Sequence, residues 1–277
     1  MKVCIVGNSH VAALVSGLAA APSLGGFEFD FYAIPGGHEP QLVVKSGRLR
    51  PRAADVLPQT TIAGAASEGL DLAPYEAVVV SACGLFAARN ENVVPDPLAH
   101  PLGAVCTADW IEAAASAPWP AGTQFVSAAV FDAVVESYVR RHASVTAASL
   151  LPECFAGRVV LQPWPAPNRA LQDNASWFVN VGYRNGGRRA WRDFMRAQYR
   201  ALEKIAADLG SAFTLLSYPL TGPLNDGFMN AEMCEADPWH ANAAYGVLVL
   251  AQIRKELEQE RTPHSTAPNG PTAPYAP

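Results

Sequence analysis

A serine near one end of the chain and an aspartate and histidine near the other stand in settings where they could act together. Ser9 lies in Gly7-Asn8-Ser9-His10, between a β-branched apolar run, Val3 to Val6, and apolar positions that recur at helical spacing from Val11 onward. A buried strand thus runs into a helix through a tight turn. A hydroxyl there sits at the carboxyl end of a strand and the amino end of a helix, where free backbone N–H groups and the helix dipole favour negative charge. Such a turn can hold an oxyanion. The same residues also fit a plainer role, with Asn8 or Ser9 as the N-cap of the first helix. Asp237-Pro238-Trp239-His240 stands at the mouth of the last helical stretch. Its carboxylate, three residues before the imidazole, could orient the ring and stabilise its charged form. The alternative is purely local: Asp237 as N-cap, Pro238 at the first helical position and His240 as an ordinary first-turn residue.

Positioning these groups requires a particular order of elements. Strands are expected at about 2–7, 27–34, 75–82, 158–164 and 212–217, alternating with helical segments. Such alternation leads to a parallel sheet with helices on both faces, and right-handed crossovers leave few topologies. The expected fold is a three-layer α/β/α domain on a five-stranded parallel, flavodoxin-like sheet of order 2-1-3-4-5. In such sheets the ligand crevice opens at the carboxyl ends of the strands beside strand 1, where Ser9 lies. The first helix should end near Ala21-Pro22, and Leu42 to Pro51 reads as a short hairpin. Further helices are expected from Trp110 to about Ala117, across the apolar periodic stretch Phe125 to Leu151, from Arg189 to Leu209, and from Trp239 to Glu260. Asn90 to Gly103, with three prolines, reads as a surface excursion. Pro165 to Gly187 is punctuated by Pro, Asn and Gly and carries Trp177, Phe178 and Tyr183; a loop of this length is expected to line the pocket. Residues 1–260 form one domain on this reading, and the proline-rich 261–277 a disordered tail.

Composition narrows the function classes. A net charge of -5 argues against a nucleic-acid surface, and the one basic group, Arg184, Arg188, Arg189 and Arg192, reads as the polar face of a helix start. Five cysteines without CxxC spacing, Cys4, Cys83, Cys106, Cys154 and Cys234, read as reduced structural thiols rather than a zinc site. No leader-like segment is read before Gly7 and no apolar span of 18 residues is read in the sequence, so the expected location is the cytoplasm, away from membranes. No metal or organic cofactor is expected.

Gly7-Asn8-Ser9-His10 after the first strand, together with Asp237-Pro238-Trp239-His240 before the last helix, resembles the SGNH (GDSL-like) hydrolases, and the resemblance spans roughly residues 1–258. It implies Ser9 as nucleophile, His240 as general base and then acid, and Asp237 as the carboxylate that orients it. It also implies an oxyanion hole from the Ser9 backbone N–H, from a glycine after strand 2 matched by Gly37 (or Gly36), and from an asparagine after strand 3. Here the chain departs from the pattern: Ser81-Ala82-Cys83-Gly84-Leu85-Phe86 places Leu85 where asparagine would stand. Losing one such donor costs about 10²–10³ in rate. Asn168, in the loop after strand 4, is the alternative donor, and equally a turn residue following Pro167. His10 reads as a rim residue on the helix. Trp164, Trp177, Trp239 and His38 flank the site in sequence and could contact substrate.

The implied activity is a serine esterase acting on a small-molecule or glycan ester, such as a short O-acyl group on a sugar. Two rivals accompany it: an O-acyltransferase with the same triad, and a non-catalytic carbohydrate- or nucleotide-binding α/β domain. A dinucleotide fingerprint is weaker, since the first turn has a single glycine of G-x-G-x-x-G.

Overall fold

The structure, a computed structural model, describes residues 1–22, 25–34, 42–52, 56–84, 105–106, 124–174, 187–237 and 240–259. In chain order the strands are β1 (Lys2–Gly7), β2 (Glu28–Ala33), β3 (Leu42–Lys45), β4 (Arg48–Pro51), β5 (Gln59–Thr60), β6 (Ala77–Cys83), β7 (Val105–Cys106), β8 (Gln124–Phe125), β9 (Arg158–Pro163) and β10 (Phe213–Leu215). The helices are α1 (Val11–Ala20), α2 (Ala65–Glu68), α3 (Ala128–Arg141), α4 (Ala143–Leu150), α5 (Gly187–Leu209), α6 (Gly222–Asn225) and α7 (Ala243–Gln259).

β1 and β6 are covered on both faces, which is why they read as unbroken apolar runs rather than alternating ones. Val3, Cys4, Ile5 and Val6 are all buried, as is every residue from Ala77 to Cys83. These two strands pair in parallel at the centre of the main sheet, whose order is β10-β9-β6-β1-β2-β5. The sheet has six strands, not the expected five. The additional strand, β5, is two residues long and pairs antiparallel with β2 through Tyr32–Thr60 and Ala33–Gln59. Two residues carry too little periodicity to be recognised in sequence. The other five strands are parallel, and from β1 the chain steps to β2 on one side and returns to β6 on the other. That reversal opens a crevice at the carboxyl end of β1.

Other boundaries shift for identifiable reasons. The apolar periodic stretch Phe125 to Leu151 holds two helices, because His142 adopts an extended conformation (φ -67°, ψ 145°) between α3 and α4. The last helix begins at Ala243 rather than Trp239. Asn242 caps it, its Oδ1 accepting from the backbone N–H groups of Ala244 (3.0 Å) and Tyr245 (3.3 Å). The hairpin β3–β4 turns through Ser46 and Gly47, both at positive φ, a backbone twist that suits two-residue hairpins. The expectations for Asn90–Gly103, the helix 110–117, the aromatics of the 165–187 loop and the tail 261–277 fall outside the described residues.

Helix α1 packs on α7, and the contact is between backbones. A Cβ on Gly246 would lie 1.9 Å from the Ala13 carbonyl oxygen, and one on Gly17 would lie 2.5 Å from the Gly246 carbonyl carbon. Both helices start at the crevice, α1 just after Ser9 and α7 just after His240. Their close approach therefore fixes the spacing of the two chain ends.

Candidate active site

Asn8 resolves the question of the first turn. Its Oδ1 accepts from the His10 backbone N–H at 3.0 Å, and its carbonyl accepts from Val11. With Asn8 occupying the turn, Ser9 is free of capping. Its side chain is exposed, and its backbone N–H has no partner among the described residues. That leaves the amide available to a negative oxygen.

The Ser9 Oγ lies 3.2 Å from His240 Nε2, and His240 Nδ1 lies 2.9 Å from Asp237 Oδ2. Asp237 offers only acceptor oxygens when ionised, so Nδ1 carries the hydrogen and Nε2 is left to accept from the serine hydroxyl. The local fold explains why Asp237 does not cap a helix. Its Oδ1 accepts from the His240 backbone N–H at 2.9 Å, so one carboxylate grips the histidine at ring and backbone. The loop is closed on itself by Glu235 N–H to His240 C=O (2.8 Å) and Asn242 N–H to Met233 C=O (3.0 Å). Asn242 Nδ2 donates to the carbonyls of Glu232 and Cys234. The His240 and Asp237 side chains are 38% and 45% exposed, which leaves the site open to a small molecule.

His10 corrects the sequence expectation. It is buried at 7% exposure, not on the rim, and its ring lies 4.9 Å from the His240 ring and 4.5 Å from Trp164. Burial pushes its pKa down to about 3, with the neighbouring His240 adding to the fall and Asp237 opposing it. A buried neutral imidazole therefore lies against the His240 ring. A signal existed in the sequence: His10 falls on the stripe with Ala13, Leu14 and Gly17, all buried in α1. Trp164 lines neither cavity beside Ser9. It forms the wall behind His10 and touches His142, 5.7 Å away on its far side. His142 bonds Ser144 Oγ through Nδ1 and is lowered by burial to about 4.

Asn168 is placed as a turn residue: its Oδ1 caps the one-turn helix Arg169–Leu171 by accepting from Ala170 N–H at 2.9 Å. It lines neither cavity beside Ser9. Gly36, Gly37, His38, Leu85, Trp177 and Trp239 lie outside the described residues. Where β6 ends, the ladder to β9 shifts between Val80 and Cys83, and Ala82 takes a left-handed φ of 57°. Gln162 Oε1 holds this turn by accepting from Ser81 Oγ and Ala82 N–H. In the arginine group, Arg188 pairs with Asp173 and Arg192 with Asp193, as suits a solvated helix face. No group of three or more metal-ligating side chains occurs among the described residues, and none of their helices is long and apolar enough to cross a membrane. Cys4, Cys83, Cys154 and Cys234 are free thiols.

Compared with known proteins, the chain matches no family model and no curated protein. Among solved structures, a DUF4886 family protein from Bacteroides uniformis is similar at 15% identity, over 99% of this chain and 87% of that one, with a TM-score of 0.38.

Proposed function

We propose that the chain is a serine ester hydrolase of the SGNH type, with Ser9 as nucleophile, His240 as base and acid, and Asp237 as its orienting carboxylate. The observation that carries this reading is the continuous relay from Ser9 Oγ through His240 to Asp237, at 3.2 Å and 2.9 Å. A three-layer, flavodoxin-like arrangement goes with it, as does a cytoplasmic location. Ser9 Oγ attacks the ester carbonyl carbon as its proton passes to His240 Nε2, and the carbonyl electron pair moves to oxygen. The oxyanion is met by the Ser9 N–H, with Gly37 as second donor on the strength of the family resemblance. When the carbonyl re-forms, the C–O bond to the alcohol breaks and His240 returns the proton to the departing oxygen. Water then repeats the sequence on the acyl-serine and releases the acid.

Labelling with a fluorophosphonate probe, located by peptide mass, tests this. Wild-type protein should label at Ser9, Ser9→Ala should not label, and Asp237→Asn should slow ester turnover by about 10⁴, the loss seen when a triad carboxylate is made an amide. Absence of labelling in folded wild type at neutral pH would leave a binding domain in which Asp237 and His240 merely close a loop.

A further inference from the structure

Two cavities meet at Ser9, and they differ in charge. One, of about 330 Å³, lies between α1 and the β2–β5 edge, with Val11, Val15, Phe31 and Ala33 in its lining beside the uncharged polar Asn8, Gln59, Thr60 and Thr61. The other, of about 350 Å³, lies towards the Asp237 loop and is lined by His10, Ala13, Glu235, Asp237, His240 and Ala241. Ser9, Ala12 and Ser16 line both. Their spacing of three and then four residues puts them on one stripe of α1, which is the ridge between the cavities. Val11 and Val15 fall on one flank of that ridge, His10 and Ala13 on the other. Val15 is 41% exposed, one of the few large apolar side chains open to solvent among the described residues.

The direction of proton return decides which half of an ester each cavity takes. His240 protonates the departing alcohol oxygen, so the alcohol must lie on the His240 side, in the cavity with Glu235 and Asp237. The acyl chain is left with the opposite side of the ridge, where Val11, Val15, Phe31 and Ala33 offer an apolar surface and the described lining residues include no charged side chain. Resting on the reading of Ser9 as nucleophile, we propose that this site selects esters of an apolar acyl chain longer than acetyl with a neutral or cationic polar alcohol. At the about 30 Å³ that one water occupies in the liquid, the acyl cavity takes on the order of ten non-hydrogen atoms. Two carboxylates in the alcohol cavity disfavour an anionic leaving group; one unit charge at 4 Å in water changes binding about fivefold.

The test is kcat/KM for p-nitrophenyl esters from acetyl to octanoyl, with wild type, Ser9→Ala, Val15→Glu and Val15→Trp. Val15 is half open to solvent, so both changes should leave the fold intact, which circular dichroism checks. Each added methylene should raise kcat/KM about threefold to fourfold until the cavity fills, from the transfer free energy of one buried CH₂. Val15→Glu should lower the hexanoyl-to-acetyl ratio at least tenfold, and Val15→Trp should move the optimum to a shorter chain. For the alcohol half, Glu235→Gln should raise turnover of an ester of an anionic alcohol relative to a choline ester by a few-fold. Ser9-dependent turnover with a flat chain-length profile, or with Val15→Glu keeping the wild-type ratio, overturns the acyl assignment and leaves the nucleophile in place. Turnover that persists in Ser9→Ala, or none at all in wild type, overturns both.

Discussion

Replacing Gly246 by alanine should disable the site from about one helical turn away. The new Cβ would sit 1.9 Å from the Ala13 carbonyl oxygen, whereas ordinary contact begins near 3.4 Å. The clash is backbone against side-chain root, so no rotamer relieves it, and α1 and α7 must part by about 1.5 Å locally. Two terms set the stability. Alanine favours the helix over glycine by about 1 kcal/mol, and forced overpacking of a tight contact costs about 1–3 kcal/mol or more. A net loss of about 2 kcal/mol lowers the melting temperature by about 4–8 °C in a chain of this size. The effect on function is larger than the effect on stability. Ser9 and His240 are already 3.2 Å apart, and a further ångström exceeds hydrogen-bond reach. Misplacement of that size can cost about 10² in rate. The assay pairs thermal unfolding with the rate of Ser9 labelling by a fluorophosphonate. Gly17→Ala, whose Cβ meets its neighbour at 2.5 Å, should give a weaker form of both effects. Val139→Ala, a buried deletion in α3 that borders neither cavity, supplies a destabilised control that should label at the wild-type rate once folded. If Gly246→Ala melts within 1 °C of wild type, or loses stability yet labels as fast as Val139→Ala, the helix contact does not set the spacing of Ser9 and His240.

Two further outcomes follow from the rings behind the triad. His10→Ala should slow Ser9 labelling about 10–100-fold by removing the ring that backs His240, while His10→Phe should keep most of the rate and stability, since it retains the packing and deletes a buried Nδ1 that has no partner among the described residues; equal rates for Ala and wild type would sink this account. Acid should destabilise the fold below neutral pH, because His10 and His142 ionise at about 3 and about 4 in the folded chain against about 6.5 in the unfolded one. Between those values the unfolded state holds the extra protons, so stability is complete above pH 6.5 and falls as pH drops, by up to about 1.4 kcal/mol per pH unit for each histidine. Urea midpoints measured from pH 7.5 to 4.5 should show this slope, and His142→Phe should flatten it by about one proton; an unchanged slope would mean that His142 titrates normally.

The contrast between what the sequence disclosed and what it hid has a consistent physical origin. Ser9 and Asp237-His240 were legible because turn chemistry and spacing are local: a glycine ends a strand, an asparagine takes the turn, and a carboxylate three residues from an imidazole can reach it. The central strands β1 and β6 were legible because burial on both faces writes itself as a continuous apolar run, whereas β2 showed itself by partial alternation of buried Phe29 and Phe31 with exposed Glu28 and half-buried Asp30. What stayed hidden depended on competition between distant groups. Asp237-Pro238 is as good a helix start as Asn242, and only the engagement of the Asp237 carboxylate by His240 decides for Asn242. His142 breaks a helix without proline or glycine, in a position where its ring meets Trp164 and its Nδ1 finds Ser144.

Gly17 and Gly246 are the most instructive of the hidden residues. A glycine inside a helix costs about 1 kcal/mol against alanine, so two of them in helices that face each other imply a return elsewhere. The return here is geometric. Small residues let the two backbones touch, and because α1 begins after Ser9 and α7 after His240, that contact brings the two segments together where Ser9 Oγ meets His240 Nε2. On this argument the triad is held less by its own hydrogen bonds, which lie at an open surface, than by a dry helix crossing one to two turns below. A substitution in the crossing should then be felt at Ser9 before it is felt in the rest of the fold.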